Sequence, residues 1–209
     1  PFELHIIDGN GAPPKFWSDL DLHASDYGHS YMTALFNAPD DPLSRQYFQS
    51  LADKLGEERA EEILAVNRHN TIIYPSCSPH TSFQQWRVIR PLSVDRTLVE
   101  IFTFRLDGAP DELLQRTFTY SNVVNSPSSI VMTDDVHVYS ECQKGLSTHG
   151  GDWVSQHRNA GQDQPYSGSD GGLIGVGTSE LPIRNQFRAW YEYMSDDPDR
   201  PISAETSGS

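Results

Sequence analysis

Two adjacent carboxylates, Asp134 and Asp135, separate an apolar run, Ile130-Val131-Met132, from an amphipathic one that continues through Val136-His137-Val138-Tyr139 to Leu146. A carboxylate at the apolar rim of a pocket is costly to bury unless a cation neutralises it, and a metal ion is one such cation. The same doublet also suits the exposed first turn of a helix, where the dipole favours acidic side chains. Residue types alone leave both readings open. Imidazole donors are less promising. His23 and His29 are separated by about 600° of helical rotation, which opposes them, and on a strand they would lie roughly 20 Å apart, beyond one ion's reach. His29 fits a pocket wall better than a ligand pair. His5, His69, His80, His137, His149 and His157 read as ordinary polar residues, and His137 falls off the helical face of Asp135. Cys77 and Cys142 form no CxxC pair, which argues against a thiolate metal site or a disulfide scaffold and fits a reducing cytoplasm.

The elements that must position these groups are legible from periodicity and punctuation. Residues 8–21 read as loop, because Gly9, Gly11, Pro13 and Pro14 forbid regular structure. Residues 31–36 read as a short strand and 37–42 as a turn. Between Asp41 and Asn67, Leu43, Tyr47, Phe48, Leu51, Leu55, Ile63, Leu64 and Val66 recur at helical spacing, as one long helix or two broken near Gly56. Residues 70–74 form a β-branched run stopped by Pro75. Residues 82–90 and 97–106 alternate, and residues 91–96 join them as an antiparallel hairpin. Residues 111–124 read as a helix, Pro127 as an interruption, and residues 135–146 as a second helix. Residues 147–177 lack periodicity and read as a long surface loop. The last helix spans 178–194, with Thr178 as N-cap and a packing stripe of Phe187, Trp190, Tyr191 and Met194. This order gives an α+β fold, an antiparallel sheet that curves around a helix and leaves an apolar cavity between them.

The 209 residues suffice for one domain with a real core, and no apolar stretch approaches a membrane span. A formal net charge of -14 speaks against a nucleic-acid partner, which requires a basic face. The chain opens on Pro1-Phe2-Glu3-Leu4, without an initiator Met, and is expected to be a piece of a longer polypeptide. All of 1–209 reads as one domain fragment, with a loop-rich leading segment at 1–26, the long loop at 147–177 and a flexible tail at 195–209.

Several runs taken in order carry a family resemblance. They are Asn70-Thr71-Ile72-Ile73-Tyr74-Pro75, then Trp86-Arg87-Val88-Ile89-Arg90-Pro91-Leu92-Ser93-Val94-Asp95-Arg96-Thr97, then Asp134-Asp135 followed by Glu141-Cys142-Gln143-Lys144-Gly145, and lastly Leu181-Pro182-Ile183-Arg184-Asn185-Gln186-Phe187-Arg188-Ala189-Trp190-Tyr191. Together they resemble the catalytic domain of large (alpha) subunits of Rieske-type, non-haem-iron, aromatic-ring-hydroxylating oxygenases. The likeness is nearest to members acting on aromatic carboxylic acids such as benzoate, anthranilate and salicylate.

The resemblance implies a helix-grip fold of the START/Bet v1-like kind. It also implies a mononuclear Fe(II) held by two histidines and one carboxylate, with positions left open for dioxygen. The carboxylate is then Asp135, and Asp134 a helix-start residue or a neighbour that orients the ligand. Both histidines are expected upstream, as is a 2Fe–2S Rieske cluster bound by two Cys and two His. Asn70, His80, Phe83, Asn125, Val131 and His29 match cavity-lining positions. A substrate carboxylate wants an arginine, for which Arg68, Arg184 and Arg188 are the candidates. The implied reaction is mono- or dihydroxylation of an aromatic ring with O2 and electrons from NADH, passed through a reductase, a ferredoxin or both. The implied setting is an alpha3 or alpha3beta3 oligomer in a bacterial cytoplasm. Two other readings remain: a metal-free helix-grip module that binds a small ligand, and a non-catalytic subunit of such an assembly. A carboxylate at the apolar end of a cavity speaks against the first, and the Asp pair with its following Gln-x-Gly against the second.

Overall fold

The computed structural model describes residues 18–33, 41–151, 153–168 and 171–195. Strand β1 (Asp21–Ala24) and strand β2 (Ser30–Thr33) pair antiparallel around a 3-10 turn at Asp26–Gly28. Outside β2 lies β3 (His69–Ile72). Beyond β1 lies β8 (Leu173–Val176), edged by the two-residue β7 (Gln164–Pro165). The sheet order is thus β3-β2-β1-β8-β7. A second sheet is formed by β4 (Cys77–His80), β5 (Gln85–Ser93) and β6 (Arg96–Thr103), in that order. An isolated antiparallel bridge between Ile73 and Cys77 ties β3 to β4, so the two sheets follow one another along the chain.

Helix α1 (Pro42–Leu55) starts where Asp41 accepts hydrogen bonds from the backbone N–H groups of Leu43 and Ser44. Gly56, at φ 88°, ends it and leads into α2 (Glu57–Leu64). The alternative of two helices broken at Gly56 is therefore the one realised. Both helices pack with the segment before α3 (Asp111–Val124). Tyr47, Leu51, Ala60, Ala109 and Leu113 form the buried cluster there, with Leu43, Phe48 and Ile63 against it. Helix α4 (Ile130–Leu146) follows, and α5 (Leu181–Tyr193) crosses β1, β2 and the 26–28 turn. Helices and antiparallel strands thus form the α+β arrangement expected.

Several boundaries differ from the sequence expectation, each for a local reason. Helix α4 begins at Ile130, five residues before Asp135, because Ser129 caps it by accepting from the N–H of Val131. Asp134 is accordingly not a helix-start residue. Helix α5 begins at Leu181 rather than Thr178, and the hydroxyl of Ser179 accepts from the N–H of Leu181. Its buried face is Leu181, Asn185 and Ala189. Phe187, Trp190, Tyr191 and Met194 are more than half exposed, so the expected packing stripe is instead an outer face. The 147–177 segment is not all loop: it supplies β7 and β8, and β8 pairs with β1 along its whole length. The hairpin ladder runs on through Pro91 to Ser93↔Arg96, so the turn is shorter than 91–96, and a register irregularity between Pro91 and Ser93 accommodates the missing N–H. The expected loop at 8–21 lies mostly outside the described residues. So do 34–36 of the first strand, most of the 37–42 turn and nearly all of the 195–209 tail.

Candidate active site

Helix α4 carries the acidic pair. One stripe of it holds Val131, Asp135 and Cys142, which recur within about 40° of one another on a 3.6-residue helix. Val131 is buried, Asp135 is half-buried and Cys142 is exposed. Asp134 lies a step around the helix and is exposed. Asp135 has no hydrogen-bond or ion-pair partner among the described residues. The opposite side of α4, with Met132, Thr133, Val136, His137 and Ser140, borders an open hollow of about 460 Å³ that Asn125 and Pro127 close from below. His137 thus faces away from Asp135, as its spacing predicts.

A second constellation sits on the inner face of the β4-β5-β6 sheet. Alternation and register put Ser78, His80, Gln85 and Arg87 on that face, with Ser78 opposite Arg87 and His80 opposite Gln85. Ser78, His80 and Gln85 are buried, while Trp86 and Phe102 point the other way and are exposed. A chain of rings leads from the sheet to α3. His69 and His80 lie edge to face at 6.0 Å, His80 and Phe83 are tilted at 4.6 Å, and Phe83 stacks on Tyr120 at 4.2 Å. Burial, helped by the charge of Arg87 and by His69, pushes the His80 imidazole down to about 3. Burial likewise lowers His69 and raises the Tyr120 phenol to about 12. All three rings are therefore neutral near pH 7. Polar atoms without a protein partner concentrate here: His80 Nδ1, Gln85 Nε2 and Arg87 Nε, with Asn125 Oδ1 at the end of α3.

The residues expected to line the cavity divide between these places. His80 and Phe83 join the ring cluster, Val131 shares the stripe of Asp135, and Asn125 borders the hollow beside α4. Asn70 lies apart from them. Its backbone is left-handed at φ 44° where the β2–β3 register shifts, and it is exposed, while His69 takes the buried position. His29 accepts a hydrogen bond at Nδ1 from the N–H of Tyr74. The arginine candidates are occupied elsewhere. Arg184 pairs with Asp163 at 2.6 Å and donates to the carbonyls of Gln156 and Arg158. Arg188 bonds Asn185, and Arg68 stands 4.4 Å over the Tyr31 ring. Sequence reasoning missed His69, Gln85, Arg87 and Tyr120. The alternation of residues 85–87 was the available signal, with Trp86 on one face and two polar residues on the other.

The donor chemistry fits a two-imidazole, one-carboxylate iron site in part. Asp135 offers an oxygen donor with no competing cation. No three His, Cys, Asp or Glu side chains converge among the described residues. His23 is held by Thr33 and stacked on Tyr31 at 4.5 Å, so it is not a free donor.

No protein-family model matches the chain. Among curated proteins, it is 31% identical over 133 residues to the alpha subunit of toluate 1,2-dioxygenase from Pseudomonas putida, covering 62% of this chain and 28% of that protein. It is 29% identical over 150 residues to the large subunit of 2-halobenzoate 1,2-dioxygenase from Burkholderia cepacia, covering 69% of this chain and 32% of that protein. The chain thus matches about a third or less of the length of these relatives. Among solved structures, a naphthalene 1,2-dioxygenase variant bound to phenanthrene superposes with a TM-score of 0.66 at 20% identity, over 87% of this chain and 43% of that one. Naphthalene 1,2-dioxygenase from Rhodococcus sp. bound to indole does so with a TM-score of 0.64 at 16% identity, over 87% and 46%. The chain is similar in sequence to part of the large subunits of aromatic-ring dioxygenases and carries the fold of the naphthalene dioxygenase catalytic domain.

Proposed function

We propose that this chain is the catalytic-domain part of a Rieske-type oxygenase large subunit that hydroxylates the ring of an aromatic carboxylic acid. Asp135 carries the reading: a half-buried carboxylate one turn along α4 from the buried Val131, with no counter-ion among the described residues. The relatives named for toluate and 2-halobenzoate support an aromatic acid as substrate. In this proposal Asp135 is one ligand of a mononuclear Fe(II), and two histidines upstream of this chain complete the set. The iron, once bound, supplies the oxidation of the ring by O2. The chain's own residues then have three tasks. Asp135 holds the metal, Val131 keeps water from one side of that carboxylate, and the His80–Phe83–Tyr120 rings form an apolar wall with neutral edges. Asn125, His29 and Asn70 are the remaining proposed lining residues. Electrons come from NADH through a reductase, a ferredoxin or both, then through a 2Fe–2S cluster upstream. The assembly is alpha3 or alpha3beta3, in the bacterial cytoplasm. No helix among the described residues is long and apolar enough to cross a membrane.

The test is Asp135→Ala in the full-length protein. Mononuclear iron and turnover of aromatic acids are both expected to fall to background, while the visible spectrum of the cluster is unchanged. A variant that keeps its iron and its turnover sinks the assignment. A wild-type protein that binds an aromatic acid but takes up no mononuclear iron points instead to a metal-free binding module.

A further inference from the structure

The inner face of the three-stranded sheet holds a cation that the fold does not use. Arg87 is on β5, two residues from Gln85, so both side chains leave the strand on one side, about 7 Å apart along it. Arg87 Nε is sealed from water and has no acceptor, and Gln85, 1% exposed, has its Nε2 in the same condition. Both atoms can only donate. None of the groups named around them is an anion. Burial keeps His80 and Tyr120 neutral, and Ser78 opposite Arg87 is an uncharged hydroxyl. Arg87 forms no ion pair among the described residues, whereas Arg90 pairs with Glu100, Arg116 with Asp41 and Arg184 with Asp163. A guanidinium N–H sealed from water without an acceptor is unfavourable for folding, and a planar carboxylate is the acceptor its fork matches best.

We propose that Arg87, with Gln85 beside it, is the anchor for the substrate's carboxylate, and that the adjoining Phe83–Tyr120 stack receives the aromatic ring. The acid group accepts from Arg87 and Gln85, and the ring lies against the apolar side of the cluster. Aromatic acids are thereby selected over neutral aromatics of the same size. This inference rests on the oxygenase reading for the class of ring compound, but the anchor itself is a binding site and is tested as one.

Binding of benzoate and of benzamide, its uncharged counterpart, is measured by calorimetry on the iron-loaded full-length protein, with ring oxidation followed in parallel. Arg87→Gln is expected to weaken benzoate on the order of 10–100-fold and benzamide by less than about threefold. Arg87→Lys recovers part of the loss. Gln85→Leu, an independent change on the same face, weakens benzoate on the order of fivefold. Arg87→Met, which removes an unpaired cation, leaves the melting temperature of the ligand-free protein unchanged or raised, where an arginine needed for folding would lower it. Equal losses for benzoate and benzamide, or an unchanged benzoate affinity, overturn the anchor. Ring oxidation with binding indifferent to Arg87 overturns the anchor and leaves the oxygenase reading standing. Binding of benzoate that depends on Arg87, without any oxidation, does the reverse.

Discussion

His80 shows how burial changes what a residue can do. Its ring sits 3% exposed between His69 and Phe83 and beside Arg87, so the folded protein holds it neutral well below the ordinary histidine value. In the unfolded chain it takes up a proton once pH drops below 6.5, whereas the folded ring resists protonation until about 3. The unfolded state therefore binds more protons across that window, and stability falls as pH is lowered through it. His80 alone contributes a slope of about 1.4 kcal/mol per pH unit there, and His69 adds in the same direction. Urea unfolding of the wild type followed from neutral pH to about pH 4 should show this loss, and His80→Gln should show a flatter profile. An unchanged slope in the variant would mean that His80 is not the buried titrating group. Sequence reasoning placed His80 on the cavity wall through a family likeness, but the residue type gave no hint that it is almost wholly buried. The alternation of β4 decides that, and β4 itself was not recognised because Pro79 interrupts its pattern.

At the scale of elements, α5 is fixed by contacts that join distant parts of the chain. Asn185 donates from Nδ2 to the carbonyls of Ser25 at 2.9 Å and His29 at 3.0 Å. The helix comes so near the 26–28 turn that a methyl group on Gly28 would lie 2.8 Å from Ala189 Cβ and 2.9 Å from the Tyr74 ring, at a backbone φ of +81°. Gly28→Ala thus meets both a conformational penalty and an overlap with packed atoms. Together these should cost about 2–4 kcal/mol, measured as a shift in the urea midpoint with unchanged m-value. A shift near zero would show that α5 can move aside. This packing also explains why the sequence misassigned the helix's faces. Large aromatic residues suggested a buried stripe, yet close approach to a turn requires small and polar ones, and Asn185 and Ala189 fill that role. The hydrophobic period of α1 and α2 was legible for Leu43, Tyr47, Phe48, Leu51, Ile63 and Leu64, because those helices pack on one another and on nearby Ala109 and Leu113, whereas Leu55 and Val66 of the same period are exposed.

Across the whole molecule, the proposed iron site draws its ligands from more chain than is present here. One carboxylate in water holds Fe(II) weakly, because two neutral imidazoles are needed to complete the donor set. Expressed by itself, this chain is expected to retain a small fraction of one iron per molecule after desalting and to show no oxygenase turnover. Full-length protein should retain about one mononuclear iron together with acid-labile sulfide. Metal analysis of both samples checks this, and tight stoichiometric iron in the chain alone would require a ligand set other than the one proposed. The long-range pairing β1–β8 belongs to this scale as well. About 150 residues separate the two strands, and neither carries a strong pattern of its own, so only the sheet that receives them makes them strands.

The sequence by itself determined the α+β class, the central hairpin, the helices at 41–64 and 111–124, and Asp135 as the acidic residue to watch. The elements rest on local physics, periodic burial and turn chemistry, whereas the choice of Asp135 over Asp134 came from the family resemblance. Tertiary structure alone decided which face of α5 is buried, where β4 and β8 lie, and that Arg87 rather than Arg68, Arg184 or Arg188 holds an unanswered charge. An arginine's availability depends on what surrounds its guanidinium in space, and the partners that engage Arg184 and Arg188, like the neutral rings that leave Arg87 unpaired, are known only once distant segments have come together.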